Sequence, residues 1–421
     1  MQLVQTMKNF PIDCARAQFP ALKQMVNGQP AVFLDGPAGT QVPQRVIAAM
    51  TEYFETSNAN TCGAFATSRR SDAMLAEAHR AMADFLGCDA DEIHFGQNMT
   101  SLTFALARSI GRELKAGDEI IVTTLDHDAN VAPWRALEEK GIVVRQVDIH
   151  VEDCTLDLDD FRAKINARTR VVAVGCASNA VGTINPVAEI VRLAHAAGAL
   201  AFIDAVHYAP HGAIDVRALD CDFLACSPYK FFGPHTGVMY GKREHLLKLR
   251  AYKVRPQYDR LPDKWEVGTL MHESIAGVLA TVEYIAEIGQ QSEPQAKSRR
   301  EALLAAYRAI GEYERTLAAQ MLAGFAKIRG LKVYGIADTA RLATRVPTFG
   351  VRLAGKSPLE CAEFLGARGI FTWDGNYFAI NVTERLGVEE SGGLLRIGAV
   401  HYNTPAEIER MLSALDELSR K

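Results

Sequence analysis

The sequence lacks the features that mark several classes of protein. No apolar run is long enough to span a bilayer, and residues 1–19 lack the basic-then-apolar order of a secretory signal. The net charge of −4 at pH 7 leaves no basic excess that would favour nucleic-acid binding. No internal repeat or low-complexity tract is present. We therefore expect an ordinary soluble globular protein, with neither a membrane nor a nucleic acid as a partner.

The eight cysteines form no pattern of pairs or metal ligands. There is no C-x-x-C motif, so neither a zinc knuckle nor a redox pair is indicated. Cys176 and Cys226 lie inside apolar runs, where buried free thiols are common. Unpaired thiols persist in reducing compartments, and the cytoplasm is therefore the expected location. His207 and His211 have the spacing of ligands on a helix, but Pro210 between them does not favour a regular helix, so no metal is expected.

The length and the order of apolar segments predict two domains. The chain of 421 residues exceeds one usual hydrophobic core. Between residues 93 and 240, apolar strand segments alternate with helical segments, which predicts an α/β fold with a mostly parallel sheet and helices on both faces. We expect residues 237–240 to form a last strand at an edge of this sheet. A helical stretch and a smaller α+β region follow, so we place a large domain at 31–295 and a small domain at 1–30 with 296–421.

An acid and an amine each follow an apolar strand segment. The run 200–203 ends in Asp204, and the run 223–226 leads into Ser227-Pro228-Tyr229-Lys230. Open α/β sheets bind ligands just outside the carboxyl ends of their strands. A lysine there can form a Schiff base with a carbonyl cofactor, and an acid can hold a protonated pyridine nitrogen. The pair of Asp204 and Lys230 favours pyridoxal phosphate chemistry. The alternative interpretation is that they are a solvated aspartate and a surface lysine after two ordinary strands.

Another polar segment lies between a strand and a helix. Gln97-Asn98-Met99-Thr100-Ser101 follows the strand at 93–95 and precedes a helix at 102–110. Backbone N–H groups and the helix dipole suit such a junction to phosphate binding. Taken alone, the segment is equally consistent with a plain capped helix.

Six separated segments together resemble one family, the class V aminotransferase superfamily of fold-type I pyridoxal phosphate (PLP) enzymes, near its cysteine desulfurases. They are Gln97–Ser101, Asp126–Asn130, Ser178–Pro186, Asp204–His207, Ser227–Lys230 and Trp265–Thr269. The resemblance runs from Leu34 to beyond Arg396, which is nearly the full length. It implies the fold-type I transferase fold, pyridoxal 5'-phosphate as the cofactor and a homodimer.

The resemblance also implies which residues bind the cofactor. The residues expected at its phosphate are Asn98, Met99, Thr100 and Ser227, together with Thr269 of the neighbouring subunit. His127 is expected to stack on the pyridine ring, and Asp204 to face the ring nitrogen. Asn179 and His207 are expected near the phenolic oxygen, where many desulfurases have a glutamine in place of His207.

The same resemblance assigns catalysis to Lys230, His127 and Asp204. Lys230 would carry the Schiff base and, once displaced, move the α-proton of the substrate. Arg396 would bind the substrate carboxylate by a bidentate pair. The polar residues that we expect near the mouth of the site are Asp374, Asn376, Tyr377, Arg255 and His272.

The chain departs from the desulfurase pattern at two positions. Aligned on Gly375, Phe378 stands where a desulfurase has the cysteine that accepts sulfur, and Tyr229 stands where the family usually has histidine. Cys361 lies in an earlier helix and is expected to pack on its face. A phenylalanine cannot accept sulfur, so we predict little or no cysteine-dependent desulfurase activity.

The expected function is therefore an amino-acid transformation through an external aldimine and a quinonoid. A lyase or an aminotransferase is favoured over a persulfide-forming desulfurase. One alternative is a cysteine or selenocysteine desulfurase that uses another sulfur acceptor. A second alternative, from a different class, is a non-catalytic PLP-binding or regulatory protein.

Overall fold

The architecture follows from a computed structural model that describes residues 10–421. Residues 1–9, with which the predicted small domain begins, lie outside the described range. The strands are β1 Met25–Val26, β2 Gln29–Pro30, β3 Val32–Phe33, β4 Ile93–Gly96, β5 Glu119–Thr123, β6 Val143–Val147, β7 Ile149–His150, β8 Thr155–Leu156, β9 Thr169–Gly175, β10 Leu200–Asp204, β11 Phe223–Cys226, β12 Gly237–Gly241, β13 Leu331–Tyr334, β14 Thr348–Leu353, β15 Ile370–Phe371, β16 Trp373–Gly375 and β17 Leu394–Gly398.

The helices, apart from short 3-10 turns, alternate with strands in the middle of the chain, and long helices follow one another before and after it. The helices are α1 Ile12–Ala17, α2 Gln44–Thr56, α3 Ala66–Leu86, α4 Met99–Ile110, α5 Ala132–Arg135, α6 Leu158–Lys164, α7 Val187–Ala196, α8 Val216–Leu219, α9 Arg243–Lys248, α10 His272–Ser292, α11 Arg299–Phe325, α12 Pro358–Gly366, α13 Ile380–Arg385 and α14 Pro405–Ser419. Among residues 10–421 no helix is both long and apolar enough to cross a membrane.

The central sheet has seven strands in the order β4-β12-β11-β10-β9-β5-β6. Every strand runs parallel to the others except β12, which pairs antiparallel with both β11 and β4. The predicted, mostly parallel sheet is therefore confirmed. The prediction that residues 237–240 form an edge strand is wrong, because β4 pairs with the outer side of β12 and takes the edge itself.

The carboxyl ends of two neighbouring strands bring the acid and the amine together. In the parallel pair β10 and β11, Asp204 lies opposite Ala225, and Ser227 follows β11 directly. All residues of β11 are buried, as the purely apolar run predicts for a strand covered on both faces. The expectation that Asp204 and the Ser227–Lys230 segment meet at the same edge of the sheet is confirmed.

Long helices cover the sheet and continue toward the second sheet. Helix α10 packs along α2, α3 and α11. Helix α11 begins at the Ser298 cap, whose hydroxyl accepts the N–H of Glu301, and it runs for 27 residues. The terminal helix α14 has a capping box between Thr404 and Glu407, as the Thr404-Pro405 start predicts.

A four-stranded antiparallel sheet, ordered β13-β14-β17-β16, lies in the last third of the chain and carries Arg396 on β17. In the sequence, residues 369–373 favour a single strand, but the structure has two strands there: β15 pairs with β3, and β16 pairs with β17. The sequence shows no break at Thr372, but the residues before it pair with β3 and the residues after it pair with β17. The division of the chain at residues 31 and 296 stays a prediction.

Candidate active site

One cavity of about 850 Å³ collects the central polar residues that the sequence singled out. Thr100, His127, Asn179, Lys230 and Arg396 all line it. Asn98, Met99 and Ser227 do not line it but belong to segments that do, with Thr100 and Lys230. Asp204 and His207 do not line it either, but they lie close enough to Lys230 to interact with its charge. Thr269 is exposed and lines a separate cavity of the same subunit, with Asn60 and His272.

Lys230 ends a short 3-10 turn, Pro228–Lys230, directly after β11. Its ammonium donates to the backbone carbonyl oxygens of Pro37 and Ala38, the latter at 2.8 Å. Burial lowers the pKa of this amine to about 7; the positive charge of Arg396 adds to the shift and Asp204 opposes it. A large fraction of the side chain is therefore neutral near pH 7, as a nucleophile or a base requires.

Asp204 is one of two buried carboxyl groups near the end of β10. It accepts the N–H of Val206 at 2.8 Å, and burial raises its pKa to about 6. Asp126 accepts the N–H of Gly175 at 2.6 Å and the hydroxyl of Thr123 at 2.9 Å. Burial raises its pKa to about 7, and the charge of Asp204 adds to this effect. In the motif at 126–130 the sequence singles out His127, and it gives no sign that the acid before it is buried.

His127 presents a neutral ring to the cavity. Its Nδ1 accepts the N–H of Ala129 at 3.0 Å. Burial lowers its pKa to about 4, and the positive charges of Lys230 and Arg396 act in the same direction. An uncharged imidazole can stack on an aromatic ring without bringing a second cation beside Lys230.

The N-terminus of α4 offers backbone donors beside Thr100. The Asn98 side chain already accepts the N–H of Ser101 at 2.8 Å, and the Met99 side chain is buried in a hydrophobic cluster. Of the three residues of this segment that are predicted at the phosphate, Asn98 and Met99 can thus contribute mainly through the backbone. The N–H groups of Met99 and Thr100 precede the first intrahelical bonds, which leaves them free for an anion.

Gly237 allows β12 to cross the start of α4 closely. A Cβ at this position would lie 2.4 Å from the carbonyl carbon of Asn98. We expect Gly237→Ala to lower the free energy of unfolding by about 1–3 kcal/mol, because the strand and the helix would have to separate. Urea denaturation measures this change. Gly366→Ala, where the added methyl group meets open space, is the matched control, and equal stability of the two variants would contradict the prediction.

Arg396 and Asn179 line the cavity together. Arg396 is only 5% exposed, and its guanidinium donates to the backbone oxygen of Asn179 at 3.0 Å. It lies 4.2 Å from the ring centre of Tyr377, and burial lowers its pKa to about 10. Within residues 10–421 no carboxylate forms a salt bridge with it. The negative charge of Asp35 opposes the lowering of its pKa, but from beyond salt-bridge distance. A buried, unpaired guanidinium with donors to spare is suited to binding a carboxylate.

His207 is held neutral behind the cavity. Its Nε2 lies 3.0 Å from the hydroxyl of Thr348, and burial keeps its pKa well below the ordinary value. Its ring centre is 5.6 Å from that of His211, whose Nδ1 lies 2.7 Å from a carboxylate oxygen of Glu314. The Nδ1 atom of His207 and the Oδ1 atom of Asn179 are buried without a partner in the part of the chain that the structure describes.

The segment after β16 forms the mouth of the cavity. Asp374, Asn376 and Tyr377 line it, as expected. Arg255 and His272 do not line it in the subunit described; they line other cavities, and His272 lies in the same one as Thr269. Phe378, at the position of the desulfurase cysteine, also lines it, 72% exposed and stacked on His127 with ring centres 5.5 Å apart.

Two consecutive residues of this loop have left-handed backbone conformations. Tyr377 and Phe378 have φ values of 56° and 59°, which cost about 1–3 kcal/mol each in residues other than glycine. Hydrogen bonds hold them there: the Asn179 side-chain amide donates to the Tyr377 oxygen at 2.9 Å, and the Asp128 N–H donates to the Phe378 oxygen at 2.7 Å.

No cysteine lines the cavity among the residues described. Cys361 is buried in α12, and burial raises the pKa of its thiol to about 11. A thiol of this kind carries almost no thiolate at neutral pH, as expected for a packing residue.

Comparison with known proteins gives the family to which this site belongs. A family model described as aminotransferase class-V matches residues 32–411. The chain belongs to the class V aminotransferase family. This confirms the resemblance noted in its motifs, together with the fold-type I transferase fold and PLP as the cofactor.

Relatives of this class V aminotransferase-family enzyme match nearly its whole length. A cysteine desulfurase of Dickeya dadantii (strain 3937) is 31% identical over 430 residues, covering 98% of each chain. The aminotransferase-like protein FGM3 of Gibberella zeae is 30% identical, covering 97% of this chain and 98% of its own. The apo cysteine desulfurase of Thermococcus onnurineus NA1 has a similar structure, with a TM-score of 0.85, 26% identity and 98% coverage of each chain.

The residues around the cavity fit PLP. The unpartnered Asn179 Oδ1 and His207 Nδ1 atoms, the buried Asp204 carboxyl group and the free N–H groups of α4 can each bind a polar group of this cofactor. The amine of Lys230 is buried and substantially neutral, as attachment to an aldehyde requires. When bound, PLP supplies an aldehyde carbon for that attachment and a ring that accepts electrons from the substrate.

Proposed function

We propose that this class V family member is an enzyme that transforms an amino acid by a lyase or aminotransferase reaction, without storing sulfur on a cysteine of its own. The observation that carries this proposal is the single cavity shared by Lys230, Arg396 and Phe378. It combines an amine and a carboxylate-binding guanidinium with a phenyl ring at the position where sulfur transfer needs a thiol.

The side chains act on an amino acid in three ways. Arg396 binds the α-carboxylate, which fixes the Cα atom relative to Lys230. Lys230 would hold the cofactor covalently and, with its amine free, would take the α-proton of the substrate on Nζ. His127 would lie against the cofactor ring, and Asp204 would hold a proton on the ring nitrogen. The N–H groups of Met99 and Thr100 and the nearby Ser227 would bind the phosphate.

We further infer a homodimer located in the cytoplasm. Thr269 is exposed and lies outside the cavity of its own subunit, which supports the expectation that it reaches the phosphate in a neighbouring subunit. All eight cysteines are free thiols, which supports a reducing compartment.

Product analysis of the PLP-loaded protein with a panel of amino acids tests the proposed reaction. A keto acid formed together with the amino form of the cofactor indicates an aminotransferase, and pyruvate with sulfide from cysteine indicates a β-lyase. Cys361→Ser is expected to leave turnover unchanged. Loss of turnover in this variant would show that the thiol takes part in the reaction.

The second candidate is a desulfurase that releases sulfur to an external acceptor, favoured by the relatives named cysteine desulfurase. With a thiol reductant present to accept the sulfur and reduce it, alanine and sulfide formed from cysteine in equal amounts would support it and contradict our first proposal. A cofactor band that responds to no amino acid would instead indicate a binding protein without turnover.

A further inference from the structure

The outer part of the Lys230 cavity is acidic. Asp128, Asp374 and Glu389 line it, and they come from three separate segments of the chain. None of the three forms a salt bridge with a Lys, Arg or His within residues 10–421. Glu389 instead accepts neutral donors, from the Asn376 side-chain amide at 2.8 Å and from the Thr383 hydroxyl. The negative charge at this end is therefore not compensated within the subunit.

The inner part of the same cavity has the opposite charge. Lys230 and Arg396 line it, and Arg396 is buried without a carboxylate partner. The guanidinium has five N–H donors and uses one for the Asn179 backbone oxygen. A ligand carboxylate satisfies this inner end, which orients a bound amino acid with its side chain free to extend toward the outer, acidic end.

Two aromatic side chains stand beside the carboxylates. Trp373 is 51% exposed and Phe378 is 72% exposed, which is unusual for side chains of this size. Both line the cavity. Aromatic faces attract cations, and they also cover the methylene groups of long, charged side chains.

We propose that the substrate of this enzyme is an amino acid with a long side chain that ends in an amine or a guanidine, bound among Asp128, Asp374 and Glu389. This inference rests on the proposed function and names its substrate class. A short neutral side chain such as that of cysteine leaves all three carboxylates without a partner. An acidic side chain is repelled by them.

Kinetics with linear side chains of different charge test the charge preference. With the PLP-loaded protein, L-lysine, L-ornithine and L-arginine are compared with L-norleucine and L-glutamate by the change of the cofactor band and by product formation. We expect kcat/KM for lysine to exceed that for norleucine about ten-fold or more, since three partly exposed ion pairs contribute together. Glutamate is expected to be the poorest substrate.

Single variants locate the preference at the named residues. Asp374→Asn and Asp128→Asn are each expected to reduce the ratio of lysine to norleucine about three-fold, the scale of a partly exposed ion pair. Glu390→Gln removes an exposed neighbouring carboxylate that does not line the cavity, and it should leave the ratio unchanged.

The outcomes separate this inference from the proposed function. Turnover of norleucine or cysteine equal to that of lysine would overturn the substrate class and leave the enzyme class standing. A ratio that neither aspartate variant lowers would overturn the assigned site. If no amino acid changes the cofactor band, the proposed function fails and the inference fails with it.

Discussion

Replacing Lys230 with alanine is expected to abolish turnover, with kcat reduced about 10⁴-fold or more. Proton transfer by a positioned side chain contributes about 10²–10⁴-fold on its own, and this lysine also supplies the covalent attachment. Borohydride reduction followed by peptide mass mapping should find PLP on the peptide with Lys230 in the wild type and not in the variant. Lys248→Ala, on the exposed side of α9, is the matched control and should behave like the wild type.

The pH dependence of cofactor attachment follows from the same amine. Its pKa is lowered from 10.5 to about 7, so the neutral, reactive form gains with rising pH and predominates above about pH 7. The rate at which the apo protein binds PLP covalently should therefore rise between pH 6 and 8 and level off above, as followed by absorbance. A rate that continues to climb toward pH 10 would show an amine with an ordinary pKa.

The second large effect is expected from Asp204→Asn. The amide can still accept the Val206 N–H, so the end of β10 should keep its conformation. The negative charge that holds a proton on the cofactor ring is lost, and kcat is expected to fall about 10²–10³-fold, the scale for removal of one preorganised electrostatic partner.

Steady-state kinetics and cofactor content measure this effect together. PLP should remain attached in the variant, because Lys230 and the donors of α4 are intact. Asp220→Asn provides the control: this aspartate is exposed on the turn before β11, and its left-handed backbone (φ 55°) suits asparagine. Turnover within three-fold of the wild type in Asp204→Asn would rule out the assigned role.

The sequence contained most of what positions the site, because the main determinants are local. Asp204 and Lys230 each follow an apolar strand, and parallel strands bring their carboxyl ends to one edge. The N-terminus of α4 is recognisable from Asn98 and the helix that follows. These features need no knowledge of distant parts of the chain.

The features that the sequence did not reveal depend on distant contacts. The position of β12 inside the sheet depends on its pairing with β4, which lies about 140 residues earlier. The coupling of Asp126 to Asp204 requires that β9, with Gly175, lies between their segments. The local pattern also gave no reason to separate the 369–373 run into two strands that belong to different sheets.

The left-handed loop at Tyr377 and Phe378 has a consequence for movement. It follows β16 of the small antiparallel sheet, yet its two carbonyl groups are bound by Asn179 and Asp128, which follow strands of the central sheet. These two bonds contribute about 0.5–1.5 kcal/mol each, which is less than the cost of about 1–3 kcal/mol for each left-handed conformation. The loop therefore forms a latch on the central sheet whose engaged state also depends on the packing of the buried Tyr377 side chain beside Arg396, and breaking these contacts favours its release.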